Sequence, residues 1–275
     1  MKEILKEADY KVATIEWIIK KGFLDNDSVL INELPVDNFS RRADLVIANG
    51  KLHAIEIKSD ADSLSRLSGQ IDTYISFFDK VTVVCSQKYT QRALNILPER
   101  VELIELKTDR NNNIVLKVKR RGKTISITDP TRYLSFVEKR FLVSSIRQLG
   151  LTCSIGESRS SLYNKLNCFP RSTWREISLK YLKDKYRATS DLFLSSVRER
   201  ASYNNLHLLR PQLNNKCCSL DDSSLELPDN YWEVNDSCDK RVSELGIDIS
   251  ECMYKYGFVP THPVKVIPRK IKQTI

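Results

Sequence analysis

Glu56 and Lys58 stand two residues apart in KLHAIEIK (51–58), and Asp44 lies upstream in RRADLVIA (41–48). On a strand, residues i and i+2 share a face, so Glu56 and Lys58 point one way and Ile55 and Ile57 the other. Two carboxylates and an ammonium group, brought together, can hold a hard cation and offset a developing negative charge. The triplet alone is weak evidence. Roughly three acid-x-Lys triplets are expected by chance at this charge content. Three occur: Asp9-Tyr10-Lys11, Glu56-Ile57-Lys58 and Glu105-Leu106-Lys107. A half-buried strand showing ordinary charges to water explains any one of them. Context separates the second, which alone follows a hairpin bearing another acid and alone leads into a helix carrying Gln70 and Tyr74.

Positioning these groups requires a set of elements that the pattern supplies. Ile4, Leu5, Ala8, Val12, Ile15, Ile18 and Ile19 recur at helical spacing over 2–21, and Gly22 ends the run. VLINELPV (29–36) reads as a strand. ADLVIA (43–48) and KLHAIEIK read as two strands joined at Asn49-Gly50, a strong hairpin signal. A helix is predicted over 62–78, with Leu64, Leu67, Ile71, Ile75 and Phe78 as its stripe and Asp60 or Asp62 as N-cap. KVTVVCS (80–86) is a buried strand, followed by a helix near 88–97 and a strand at 101–106. A second hairpin over 113–128 should turn at Arg121-Gly122. After Asp129-Pro130 the strand alternation stops and helical segments follow. The reading gives an α/β domain at 1–130, a basic helical domain at 131–210 and an irregular tail at 211–275.

The hairpin carries a geometric condition. With a two-residue Asn49-Gly50 turn, Asp44 would pair with Ile55 and face away from Glu56. A three-residue loop, Ala48-Asn49-Gly50 with Gly50 in the left-handed region, pairs Ile47 with Lys51 and Asp44 with Ala54. Asp44 then lies diagonal to Glu56, and Ala43, Leu45 and Ile47 join Ile55 and Ile57 in the core. An odd-length loop is therefore expected.

The order helix, strand, strand with Asp44, strand with EIK at 56–58, helix, strand resembles the PD-(D/E)XK nuclease superfamily. QIDTY (70–74) resembles the Gln-x-x-x-Tyr element of its exonuclease-like and repair-related branch. The likeness covers roughly the first 110 residues, and Ala43 stands where many members have proline. The resemblance implies a restriction-endonuclease-like mixed central sheet flanked by helices, followed here by an all-helical C-terminal region. It also implies Mg²⁺- or Mn²⁺-dependent hydrolysis of phosphodiester bonds, most naturally in DNA. Asp44 and Glu56 would supply carboxylates and Ile57 its carbonyl as ligands. The metal would activate a water, and Lys58 would orient that water and offset phosphate charge. Gln70 would hydrogen-bond near the metal. Tyr74, one helical turn on, either joins it or packs as a core aromatic. Glu33 is preferred over Glu16 as an accessory acid. A solvated surface acid is the competing reading for each.

Charge is uneven. Residues 131–220 hold 16 basic and 6 acidic residues, so the net +9 of the chain sits almost wholly there. Such a block marks either a polyanion-binding surface or a solvated helical face. Candidate phosphate contacts are Arg159, Lys165, Arg171, Arg175, Lys180, Lys183, Lys185 and Arg187, with Arg41 and Arg42 beside Asp44. Two rival functions remain: a non-cleaving nucleic-acid-binding protein on a nuclease-like core, and a protein-interaction adaptor. His53, on the face opposite Glu56, is expected to pack rather than bind metal. The spacing of Cys217, Cys218, Cys238 and Cys252 fits no zinc ribbon or finger. No apolar run approaches the roughly 20 residues of a membrane span. Seven cysteines without a CxxC pair, and acids in the first turns, suit a reducing cytoplasm. The sequence leaves the oligomeric state open, a dimer included.

Overall fold

The computed structural model describes residues 5, 7–109, 114–197, 203–209, 232–234 and 264–266. The chain forms two compact units, 1–213 and 214–275. In the first, α1 (Glu7–Lys20) precedes β1 (Val29–Val36), β2 (Arg41–Ala48) and β3 (Leu52–Lys58). Then come α2 (Leu67–Phe77), β4 (Lys80–Ser86), α3 (Thr90–Ile96), β5 (Glu102–Thr108) and β6 (Ile114–Arg120). The six strands form one mixed sheet in sequence order. β3, β4 and β5 run parallel, and the remaining pairs are antiparallel. Among the described residues, helices α4 (Pro130–Leu134), α5 (Lys139–Gln148), α6 (Arg159–Leu166) and α7 (Arg171–Ser196) follow, then a 3-10 helix at Tyr203–Leu209. The architecture is thus a mixed α/β sheet flanked by helices, with a helical part after it. In the second unit, β7 (Trp232–Val234) pairs antiparallel with β8 (Val264–Val266). The rest of the segment read as an irregular tail, with its four cysteines and His262, lies outside the described residues.

Strand alternation sorts side chains into two cores. Leu45, Ile47, Ile55 and Ile57 pack with Tyr10, Ile15 and Ile18 of α1. Val46, Ala54 and Val83 pack beneath Ile71 and Tyr74 of α2, in a core that continues to Tyr133, Leu142, Leu162 and Trp174. The change of texture at 130 is therefore a change of secondary structure and not a break between compact units. Helix α7 joins both cores and serves the edge strand β1. There the Leu30 N–H donates to Ser190 Oγ at 3.0 Å, using a group that an open edge would leave unpaired.

The structure departs from the sequence reading at several points. The helix expected from 62 begins at Leu67, because Asp62 instead accepts from the backbone and hydroxyl of Ser59. The segment 121–129 is no strand. Gly122 passes so close to β5 that a Cβ would lie 2.6 Å from the Glu102 nitrogen, and the turn seen in sequence is a close crossing. The helical segments expected after Asp129-Pro130 are α4, α5, α6 and the 26-residue α7.

The β2–β3 loop has three residues, Asn49, Gly50 and Lys51, with Ala48 paired to Leu52 and Gly50 at φ 87°. The length is odd, as the apolar pattern requires, but the loop is centred one residue later, so each pairing lies two residues further along than expected. Ile47 faces His53 and Val46 faces Ala54, so Ala54 is not the partner of Asp44, which lies one residue beyond the last pair, Leu45–Ile55.

Candidate functional site

Glu56 is buried on the α2 side of the sheet, and three side chains converge on it. Lys58 Nζ donates to Oε1 at 2.8 Å and Gln70 Nε2 to the same oxygen at 2.6 Å. The spacing explains the meeting. Lys58 shares the strand face of Glu56, while Gln70 and Tyr74 sit one turn apart on α2. The Tyr74 hydroxyl lies 2.6 Å from the Arg42 carbonyl and 2.9 Å from Glu56 Oε2. Tyr74 is the donor in both contacts, sharing its proton between the carbonyl and the carboxylate. Burial raises the Glu56 carboxyl, against the pull of Lys58 and of the bonds from Tyr74 and Gln70. Tyr74 is both a core aromatic and a member of the site.

Asp44 sits beside this group. Its Oδ2 accepts the Ile57 N–H at 2.7 Å, which fixes the carboxylate against β3. Burial and then the charge of Glu56 push the Asp44 carboxyl up to about 8, against the Ile57 bond. On its other side are two more acids. Glu7, Glu33 and Asp44 each bring one carboxylate oxygen to within 4.8 Å of the others. Lys11, nearly buried, donates to Glu33 Oε1 at 2.7 Å and Asn32 Oδ1 at 3.1 Å.

Glu33 owes its place to its backbone. It has φ 58°, and the β1–β2 register passes from Asn32–Leu45 to Leu34–Ala43 without a Glu33–Asp44 pair. A non-glycine residue there costs about 1–3 kcal/mol and inverts the alternation. Val29 and Ile31 face α2 before it, and Leu34 and Val36 face α2 after it. Ala43 consequently joins the α2 core, not the α1 core expected for it. This inversion is why INEL reads ambiguously in sequence.

The structure thus brings together Asp44, Glu56, Lys58, Gln70, Tyr74 and Glu33, and the Ile57 backbone lies against Asp44. It does not bring Glu16 into the acidic cluster among the described residues. Glu7 was missed. The available signal was Lys11, a lysine inside the apolar stripe of α1, with Glu7 one turn before it on the same face. His53 packs as expected. It is buried 2.7 Å from Thr82 Oγ1, and burial followed by Lys80 and Lys51 holds its pKa well below the usual value.

The basic candidates are mostly engaged within the fold. Arg175 forks onto buried Asp79, and Arg159 donates to Tyr163 and to the Val137 carbonyl. Lys165 pairs with Glu157, Lys183 and Arg187 with Asp27, and Lys185 with Glu138. Arg171 and Lys180 are exposed on α7. Arg42 is exposed 3.5 Å from Glu33, and Arg41 lies against Gly69 of α2.

Fold and site together define a mixed α/β protein with a buried centre of carboxylates and a lysine at the end of its sheet. The chain belongs to the bacteriophage P4 protein cII family, whose family model matches residues 1–210. Protein cII of Enterobacteria phage P4 is 35% identical over 278 residues, spanning 100% of this chain and 99% of that protein. A solved structure, a protein of unknown function from Silicibacter pomeroyi, is similar at 16% identity with a TM-score of 0.35. It covers 53% of this chain and 90% of its own. No helix among the described residues is long and apolar enough to cross a membrane.

Proposed function

We propose that this chain is a metal-dependent nuclease that hydrolyses phosphodiester bonds in DNA, on a restriction-endonuclease-like core. The observation that carries the reading is the convergence of Lys58, Gln70 and Tyr74 on Glu56, with Asp44 held at the neighbouring strand. A structural ion pair needs no such assembly, and a lysine beside two buried carboxyl groups suits phosphoryl chemistry.

The donor set fits Mg²⁺ or Mn²⁺, which take carboxylate oxygens. Asp44 and Glu56 would hold the ion, with the Ile57 carbonyl and Glu33 or Glu7 beside them. Among the described residues, Gln70 Oε1 is buried with no hydrogen-bond partner, a second acceptor available at the centre. When bound, the cation would lower the pKa of a water and offset charge on the phosphate. Lys58 orients the attacking water and stabilises the charge that develops. Gln70 and Tyr74 fix the Glu56 carboxyl, and Ile57 fixes Asp44. The reading places the protein in the cytoplasm, which suits its unpaired thiols at Cys85, Cys153 and Cys168.

The test is Mg²⁺-dependent cleavage of linear, circular, branched and single-stranded substrates by the wild type and by Asp44→Ala. Cleavage by the wild type that vanishes in the variant is expected. Undiminished cleavage by Asp44→Ala, or none by the wild type, removes the reading.

A further inference from the structure

The turn between β1 and β2 passes through Asp37, Asn38 and Phe39 in left-handed backbone, at φ 50, 52 and 68°. None is glycine, and a bulky residue is rare there because its Cβ crowds the chain. Ser40 closes the turn, its N–H on the Asp37 carbonyl at 3.0 Å and its hydroxyl on Asp37 Oδ2 at 3.1 Å. The outcome is a phenylalanine held in water. Phe39 is 84% exposed, the most exposed large apolar side chain among the described residues.

Phe39 borders a groove of about 360 Å³ whose wall includes Phe136, Tyr163, Tyr181 and Tyr186. Two cations line it. Arg159 donates to the Tyr163 hydroxyl at 2.9 Å. Lys185 donates to that of Tyr181 at 2.9 Å and lies 5.3 and 5.9 Å from the ring centres of Tyr181 and Tyr186. Arg132 pairs with Asp37 at the turn, and Arg42 stands exposed on the strand leaving it. Asp37 and Glu138 line the groove as well, and Glu33 and Asp129 pair with Arg42 and Arg132, while Arg159 bonds to the neutral Tyr163 hydroxyl and Val137 carbonyl.

A projecting aromatic ring beside an aromatic groove that carries Arg159 and Lys185 matches what unpaired nucleotides need. Bases stack on rings, and phosphates meet Arg and Lys. We propose that Phe39 and this groove bind the unpaired nucleotides of a single-stranded or frayed DNA segment. Base faces are available there, whereas in a closed duplex they are hidden in the stack. The position suits delivery to the centre. Phe39 lies five residues before Asp44, at most about 18 Å along the chain, or roughly five base steps. The Arg42 carbonyl between them holds the Tyr74 hydroxyl, so the strand that carries the turn is bonded to the residue beside Glu56. Delivery rests on the nuclease reading, whereas the binding does not.

The experiment is fluorescence anisotropy with the full chain in EDTA, titrated into labelled single-stranded, forked and blunt-duplex oligonucleotides. Phe39→Ala should weaken single-strand and fork binding roughly 5- to 150-fold, the value of one stacked base, and leave blunt-duplex binding unchanged. Phe39→Trp should keep the affinity, with its emission quenched on binding the single strand. Thermal melts of both variants should match the wild type, since the side chain is exposed. Single-strand binding by Phe39→Ala equal to wild type overturns the proposal. So does a wild type that binds no oligonucleotide, which would assign this face to a protein partner. Cleavage in Mg²⁺, measured separately, distinguishes the two readings. Phe39-dependent binding without cleavage removes the nuclease and keeps the groove. Cleavage with Phe39-independent binding does the reverse.

Discussion

Arg175 grips Asp79 across 96 residues of sequence, Nη1 to Oδ1 and Nη2 to Oδ2, each at 2.8 Å. Asp79 is fully buried and also accepts from the backbone of Leu52 and Ile127 and the hydroxyl of Tyr133. Burial works to raise its carboxyl, but Arg175 and the backbone bonds outweigh that and hold it below the usual range. Sequence placed Arg175 among the phosphate contacts. The structure makes it the strut that ties α7 to the sheet.

Removing that arginine strands a buried carboxylate. Arg175→Ala should lose about 3–5 kcal/mol, read as a lower urea midpoint. The sign with pH follows from the lowered pKa. The Asp79 contribution is complete above pH of about 4 and is lost as pH falls through its folded value, so the variant should lose that acid-side dependence. An Arg175→Ala protein as stable as wild type but defective in DNA binding would return the residue to the phosphate contacts.

Lys58→Ala should reduce cleavage by roughly 10²–10³, the scale of one lost charge-stabilising donor. Glu56→Ala and Asp44→Ala should abolish it, with the fold kept. Circular dichroism separates loss of activity from loss of structure, and a Lys58→Ala protein with full turnover would place the chemistry elsewhere.

Asp44 gives a pH prediction of opposite sign to Asp79. Its folded pKa of about 8 lies above the ordinary value of 3.8. Below pH of about 4 the group is neutral in both folded and unfolded chains; between about 4 and 8 only the unfolded chain ionises, and stability falls as pH rises. Asp44→Asn should therefore gain more in melting temperature at pH 7.5 than at pH 4.5, by roughly 2–4 °C per kcal/mol relieved. A cation at this site competes with the proton, so metal affinity should rise toward pH 8. Equal gains at both pH values would show that Asp44 is ionised throughout.

DNA binding should fall steeply with salt. Arg171→Glu and Lys180→Glu, on the exposed side of α7, should each lower the slope of log affinity against log salt by about one. A truncation at 130 could not make this test. Tyr133, Trp174 and Tyr181 share one core with Ile71 and Tyr74, so the 1–130 fragment should not fold. Unchanged slopes in both variants would move the contact surface off α7.

The sequence by itself determined what depends on neighbours along the chain. Period-two alternation put Glu56 and Lys58 on one face, helical spacing aligned Gln70 with Tyr74, and the apolar pattern demanded an odd loop before Lys58. Those relations are set within a few residues by backbone geometry. Tertiary structure decided the rest. The hairpin register followed from a loop centred one residue later than expected. Glu33 entered the site through a left-handed backbone that no local pattern announces, and Glu7 through the packing of α1 against the sheet. Arg175, Lys183 and Arg187 read as surface charge until the fold set Asp79 and Asp27 against them. Which cation meets which anion is fixed by helix packing across long sequence separations, where local spacing carries no information.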